Sequence, residues 1–70
     1  MSALAEDVLL LIRRRERITI SEIKERFNVT TDTAETIIRF LLSFGFVEKD
    51  AGGRYYVLSK PCRKFLEELT

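Results

Sequence analysis

The apolar positions near the start of the chain follow a helical period and predict a first helix over residues 3–15. Its apolar face consists of Leu4, Val8, Leu11 and Ile12. Leu10 breaks this pattern because it projects from the polar side of the helix. An exposed leucine is ordinary on a monomer. The alternative is a contact of Leu10 with the last helix of the chain or with a second subunit.

Residues 21–45 have the pattern of two helices joined by a short turn. Ser21 is the predicted N-cap of the first of them, and Asn28 readily takes the left-handed conformation of a turn. Thr30 is suited to cap the second helix, which Gly45 ends. The apolar positions of the second helix recur at helical spacing: Ala34, Ile37, Ile38, Leu41 and Leu42. Two short helices joined in this way are typical of a helix-turn-helix.

The remaining segments favour β-structure and one more helix. The β-branched run 18–20 predicts a small strand, and residues 46–49 and 54–58 predict a hairpin around a glycine-containing loop. Ser59 begins a last predicted helix over 59–69, with an apolar stripe of Cys62, Phe65, Leu66 and Leu69. The predicted fold is α+β and mostly α: a single domain over 1–70 with a three-helix core, a short strand, a hairpin and a C-terminal helix.

Composition limits what this domain can do. The 70 residues are 46% hydrophobic and 33% charged, which suits one small globular core. The net charge of +1 gives no general argument for a nucleic-acid partner. One cysteine forms no intrachain disulfide, and we find no secretory or membrane-length apolar segment. The expected location is therefore cytoplasmic.

Catalysis is not expected from this set of side chains. The chain has no histidine, so it lacks a Ser–His or Cys–His nucleophile, and its one thiol does not suffice for a zinc site. Gly52 and Gly53 lie at the predicted hairpin tip and are not part of a phosphate-binding loop. Cys62 lies in an apolar stripe and is predicted to be a small buried side chain rather than a redox sensor. No enzyme, metal or cofactor is predicted.

Almost the entire chain, residues 4–69, resembles the winged helix-turn-helix regulators of bacteria and archaea, including the MarR-like group and small archaeal transcription regulators. In the helix-turn-helix, the resemblance depends on a serine that starts the second helix (Ser21), a turn that contains asparagine (Asn28-Val29) and a threonine before a small core residue (Thr33-Ala34). It also depends on a leucine four residues before a glycine (Leu41 and Gly45). In the hairpin, it depends on an apolar pair that opens it (Phe46-Val47) and an aromatic-x-Leu-Ser sequence that closes it (Tyr56, Leu58 and Ser59).

The resemblance implies sequence-specific binding to double-stranded DNA in transcription regulation. The second helix of the motif would enter the major groove, and the hairpin, the wing over residues 46–58, would lie on the backbone or in the minor groove. Helix geometry identifies the residues that are available for these contacts. On the recognition helix they are Thr31, Asp32, Thr33, Thr36, Arg39 and Ser43, and elsewhere Lys24, Arg26, Lys49 and Arg54.

Two features of the recognition helix depart from the usual pattern. Asp32 and Glu35 favour the helix dipole but repel phosphate, and regulators of this type often carry basic residues where Thr36 and Phe40 stand here. Phe40 either turns toward the core beside Phe44 or is an exposed anchor for a protein. The alternative function is therefore a protein-interaction module that uses Phe40 and Phe44 within a transcription, RNA-processing or chromosome-maintenance assembly.

Two further hypotheses concern association and charge. A homodimer would double the phosphate contacts of one weakly basic domain, with Leu10, Phe65, Leu66 and Leu69 as its predicted interface. The arginines at positions 13, 14, 15 and 17 either favour the C-terminal end of the first helix through its dipole or form a phosphate-contact patch.

Overall fold

The computed structural model of this chain describes residues 3–69, so the predicted domain ends, residues 1–2 and 70, lie outside it. The described residues form an α+β arrangement of four helices and a two-stranded antiparallel hairpin, compatible with a winged-helix layout. The elements are α1 (Ala3–Arg15), α2 (Ile20–Phe27), α3 (Thr31–Ser43), β1 (Val47–Lys49), β2 (Tyr56–Leu58) and α4 (Lys60–Glu68). The predicted span of α1 is confirmed.

The start of α2 differs from the prediction that Ser21 is its N-cap. Thr19 caps the helix, and its hydroxyl accepts a hydrogen bond from the backbone N–H of Glu22 at 3.2 Å. The Glu22 carboxylate in turn accepts from the Thr19 N–H at 3.0 Å, which completes a capping box. Because Thr19 satisfies the free N–H groups first, Ser21 lies inside the helix and its hydroxyl makes no hydrogen bond within the described residues.

The turn and the cap between α2 and α3 follow the sequence expectations. Asn28 takes the left-handed conformation with φ 53°, and Thr30 caps α3 by accepting from the Thr33 N–H. At its other end α3 closes with a Schellman motif, in which Gly45 has φ 77° and the Phe46 N–H donates to the Leu41 carbonyl at 3.0 Å.

The predicted strand over 18–20 is reduced to a single bridge, in which Ile18 pairs with Tyr56. The prediction of a strand is wrong for the other two residues because Thr19 is the α2 cap and Ile20 is already helical. The hairpin strands are also shorter than predicted. The Phe46 N–H is used by the α3 cap, and the N–H groups of Arg54 and Tyr55 donate to the Asp50 side chain.

One hydrophobic core joins these elements. α1 packs against α3 and β2, and α2 packs against α3. The most deeply buried large side chains are Val8, Ile12, Ile18, Ile23 and Leu41. Burial of each such side chain contributes about 1.5–3 kcal/mol. This core fixes the inner face of α3, so its outer face is defined as well.

The last helix is attached to the turn between α3 and β1 through Ser59. The Ser59 hydroxyl donates to the Gly45 carbonyl at 2.7 Å and accepts from the Cys62 N–H, while the Ser59 N–H donates to the Phe46 carbonyl at 2.9 Å. Ser59 therefore caps α4, as predicted. The helix itself covers Lys60–Glu68 rather than all of 59–69.

Candidate nucleic-acid interface

The outer face of α3 is a continuous polar ridge. Four side chains form it and all are exposed: Asp32, Thr36, Arg39 and Ser43. The opposite face buries Ala34, Ile37, Ile38 and Leu41 in the core. Because the core holds that inner face, the ridge is presented to solvent by a rigid element.

Hydroxyl groups along α3 already make local hydrogen bonds. The Thr36 hydroxyl donates to the Asp32 carbonyl at 2.8 Å, and the Ser43 hydroxyl donates to the Phe40 carbonyl at 2.9 Å. The Thr30 hydroxyl donates to that of Thr33 at 3.1 Å. The hydroxyls of Thr30, Thr36 and Ser43 each retain a lone pair that accepts from a ligand, but each must release its present bond before it donates to one. The Thr33 hydroxyl only accepts here, so its own hydrogen is available to a ligand. Arg39 is the donor of the ridge with no such commitment.

A groove of about 260 Å³ runs between α3 and the hairpin. Ile20, Ile38, Leu42 and Tyr56 supply its apolar surface, and Glu35, Arg39 and Lys49 supply its charges. The Lys49 ammonium lies 5.9 Å from the centre of the Tyr56 ring. The fold thus brings together two of the predicted contact residues, Arg39 and Lys49, from elements that are separate in the sequence.

The hairpin tip is braced by one side chain. An oxygen of the Asp50 carboxylate accepts hydrogen bonds from the N–H groups of Arg54 and Tyr55, each at 3.2 Å. Gly53 has φ 72°, a conformation that favours glycine, and its N–H donates to the Asp50 carbonyl at 2.9 Å. This bracing holds the backbone of Arg54, whose side chain is exposed.

The basic residues near the end of α1 are divided between faces of the molecule. The Arg17 guanidinium lies over the Tyr55 ring at 4.3 Å, beside the hairpin. Arg15 forms an ion pair with Glu22 at 3.0 Å. Arg13 and Arg14 instead line a groove between α1 and α2. The four arginines therefore do not form one patch.

The two predicted phosphate contacts on α2, Lys24 and Arg26, lie apart from Arg39 and Lys49. Arg26 is exposed and lines the groove between α1 and α2, together with Arg13 and Arg14. Lys24 is partly buried. None of the residues around that groove also lines the groove between α3 and the hairpin. Among the predicted phosphate contacts, Arg26 thus lies in a different groove from Lys49.

Three phenylalanines form an aromatic cluster where α3 meets β1. The ring centres of Phe40 and Phe44 are 4.7 Å apart, and those of Phe44 and Phe46 are 6.1 Å apart. Phe40 packs partly against the core, as the first of its two interpretations predicted, whereas Phe44 is 62% exposed. The cluster therefore presents an apolar surface next to the polar ridge.

The predicted dimer residues are mostly exposed. Leu10, Phe65 and Leu69 are large apolar side chains at the surface, whereas Leu66 packs partly against the core. The groove that contains Leu10 is lined by residues of α1 and α2, and no α4 residue lines it. Cys62 is buried as predicted, and this burial raises the pKa of its thiol.

The position of Arg17 beside the hairpin is not evident from the sequence. In the sequence it stands with the arginines that end α1, but the bridge between Ile18 and Tyr56 makes it a diagonal neighbour of Tyr55. No local pattern predicts that bridge, because its two residues are far apart in the sequence.

Within residues 3–69 no group of three acidic or cysteine side chains is arranged to hold a metal ion. No helix in that part of the chain is long and apolar enough to cross a membrane. No protein-family model matches the chain, and no curated protein is significantly similar to it.

Proposed function

We propose that this protein is a winged-helix transcription regulator that binds double-stranded DNA in a sequence-specific way. The recognition helix is α3, which enters the major groove, and the hairpin is the wing, which lies against the backbone. The observation that supports this most is the shared groove between the two elements, which both Arg39 and Lys49 line. A major groove about 12 Å wide admits one α-helix with its side chains.

The side chains of this surface have distinct roles in the proposal. Arg39 lies on the outermost line of the ridge, and its planar guanidinium suits a bidentate contact with the O6 and N7 atoms of guanine. Thr36 and Ser43 supply hydroxyl oxygens on either side of it. Lys49 and Arg54 supply phosphate contacts from the wing, which position the helix without reading sequence.

The acidic residues of α3 limit non-specific binding. Asp32 and Glu35 are exposed near the start of the helix, where a carboxylate repels phosphate but accepts a hydrogen bond from the N4 amino group of cytosine. The total charge of +1 adds little attraction. Affinity for an arbitrary duplex is therefore expected to be low, and a second copy would supply the missing phosphate contacts.

A salt titration tests the proposal. A labelled duplex from the region upstream of the gene is titrated with protein at about 50 and 200 mM salt. If Lys49 and Arg54 contact phosphates, affinity falls about 12-fold for a monomer and about 150-fold for a dimer. A duplex selected from a random pool serves as the second probe. Absence of salt-sensitive binding below micromolar protein on both probes would contradict the proposal.

The aromatic cluster supports a second candidate, a winged-helix module that binds a protein. Phe44 exposes most of its ring between Phe40 and Phe46, and exposed aromatic residues of this kind are typical anchors of interfaces. Phe44→Ser separates the two functions. It leaves the DNA affinity within about twofold if α3 binds DNA through its polar ridge, and it abolishes partner capture if the cluster is the functional surface.

A further inference from the structure

A groove of about 570 Å³ lies between α1 and α2, apart from the proposed DNA surface. Leu10, Leu11 and Phe27 give it an apolar surface, and Leu10 is 52% exposed. Three arginines and a single aspartate surround that surface: Arg13, Arg14, Arg26 and Asp7. None of the three arginines forms an ion pair within the described residues. A segment that complements this groove therefore has apolar side chains and negative charge.

The end of α4 has that character. Phe65 and Leu69 lie four residues apart on one side of the helix and are 58% and 66% exposed. The buried part of the same apolar stripe, Cys62 and Leu66, is turned toward the core, so the fold uses only one edge of the stripe. Glu68 is exposed beside Phe65, and Glu67 precedes it.

The charges of α4 run against its helix dipole. Lys60, Arg63 and Lys64 occupy the N-terminal half and the two glutamates the last turn, whereas the dipole favours acidic residues first and basic residues last. Opposite charges also stand four residues apart, Lys64 with Glu68 for example, and this spacing partly offsets the unfavourable order. The exposed end of α4 thus carries the carboxylate of Glu68 together with the partial negative charge of the terminal carbonyl groups.

We propose that the end of α4 of one copy binds the groove between α1 and α2 of a second copy, and that the exchange is reciprocal in a twofold dimer. Phe65 and Leu69 contact Leu10 and Phe27, and Glu68 meets the arginines of the groove. This covers exposed apolar side chains on both surfaces at once and pairs cations with carboxylates. This contact rests on the homodimer of the proposed function and specifies how its two copies associate, and it can be tested without DNA.

Two charge-reversed variants test the contact. One carries Glu67→Lys and Glu68→Lys, and the other carries Arg14→Glu and Arg26→Glu. In a homodimer of either variant, the end of α4 and the groove that it enters carry the same sign of charge at both contacts. This repulsion raises the dimer dissociation constant by about 30-fold or more. In a mixture, the basic helix of the first variant meets the acidic groove of the second, and the remaining contact has its natural charges. The mixture therefore forms a heterodimer.

Sedimentation equilibrium measures all three samples beside the natural chain. The expected result is a dimer for the natural chain, monomers for each variant, and a dimer for the mixture. A monomeric natural chain at about 0.5 mM, or variants that both remain dimeric, would overturn the proposal. So would a mixture that stays monomeric. If only the groove variant remains dimeric, two α4 helices pair with each other, and the proposal is also overturned.

Circular dichroism is the control for whether the variants are folded. The exchanged side chains are exposed, and the favourable position of lysines at the C-terminal end of the helix dipole offsets their like-charge spacing from Arg63 and Lys64. If the groove variant loses helix content, Leu10→Glu replaces it, because Leu10 is exposed in the same groove. Glu48→Lys, an exposed charge reversal on β1, is the matched control and leaves the dimer intact. Salt-dependent DNA binding by a monomeric variant separates failure of this contact from failure of the proposed function.

Discussion

Replacement of Ser59 by alanine removes the side-chain hydrogen bonds that attach the start of α4 to the turn after α3. Its hydroxyl makes two hydrogen bonds, to the Gly45 carbonyl at 2.7 Å and from the Cys62 N–H at 3.2 Å. The residue is buried, so water does not readily replace either bond. The backbone bond from the Ser59 N–H to the Phe46 carbonyl remains, which keeps the hairpin in register.

The expected loss follows from these two bonds. Loss of a serine N-cap costs about 1 kcal/mol, and loss of the bond to the Gly45 carbonyl costs about 1 kcal/mol more. A total of about 2 kcal/mol is a large part of the roughly 4–10 kcal/mol expected for a domain of this size. It corresponds to a fall in Tm of about 8–16 °C. Because α4 buries only Cys62 fully, hydrogen exchange should rise first in that helix.

Urea denaturation followed by circular dichroism measures this loss. Ser21→Ala is the matched control, since the same substitution is made on an exposed helical residue whose hydroxyl makes no hydrogen bond within the described residues. The control should lie within about 0.5 kcal/mol of the natural chain. If Ser59→Ala is equally mild, Ser59 does not attach α4.

Further predictions concern the caps, the hairpin tip and the thiol. Thr19→Ala should lower the free energy of unfolding by about 1 kcal/mol, and an unchanged midpoint in urea would refute the capping box. Asp50→Ala should lower it by about 1 kcal/mol and speed hydrogen exchange at Arg54 and Tyr55, which unaltered exchange would contradict. Because burial raises the pKa of the Cys62 thiol, its contribution to stability is present at neutral pH and declines as pH rises through that raised pKa. At pH 8 a disulfide reagent should react with it at least about tenfold faster in guanidinium than in the native protein, and equal rates would contradict its burial.

Local sequence patterns predicted most of the helical structure. The spacing of apolar residues in α1 predicts both ends of that helix. Asn28 takes the left-handed turn, Thr30 caps α3 and Gly45 ends it, as their residue types predict. The start of α2 was predicted wrongly because both Thr19 and Ser21 are good N-caps. The spacing of Thr19 and Glu22 is that of a capping box, and this distinguishes them. The hairpin strands were predicted too long because side-chain and cap hydrogen bonds take N–H groups from the ladder, which period alone does not show.

The site was predictable only in part, for a different physical reason. Helix geometry identified the exposed side of α3 because its buried face has a clear period. Which cations share a groove depends on contacts between distant segments. Arg39 and Lys49 come together, Arg17 lies beside the hairpin, and Arg26 joins Arg13 and Arg14 elsewhere. All are exposed or partly exposed, and nothing in their local sequence distinguishes them.

The most direct test of DNA recognition by α3 is the affinity of Arg39→Ala for a duplex selected by the natural chain. If Arg39 reads a guanine, the substitution costs about 1–3 kcal/mol of binding free energy, or about 5- to 150-fold in affinity, together with loss of discrimination at one G·C pair. Arg63→Ala, which removes an exposed arginine of α4, is the matched control and should change affinity by less than about threefold. Equal affinities for Arg39→Ala, Arg63→Ala and the natural chain, with discrimination at every base pair retained, would show that Arg39 on α3 does not recognise DNA.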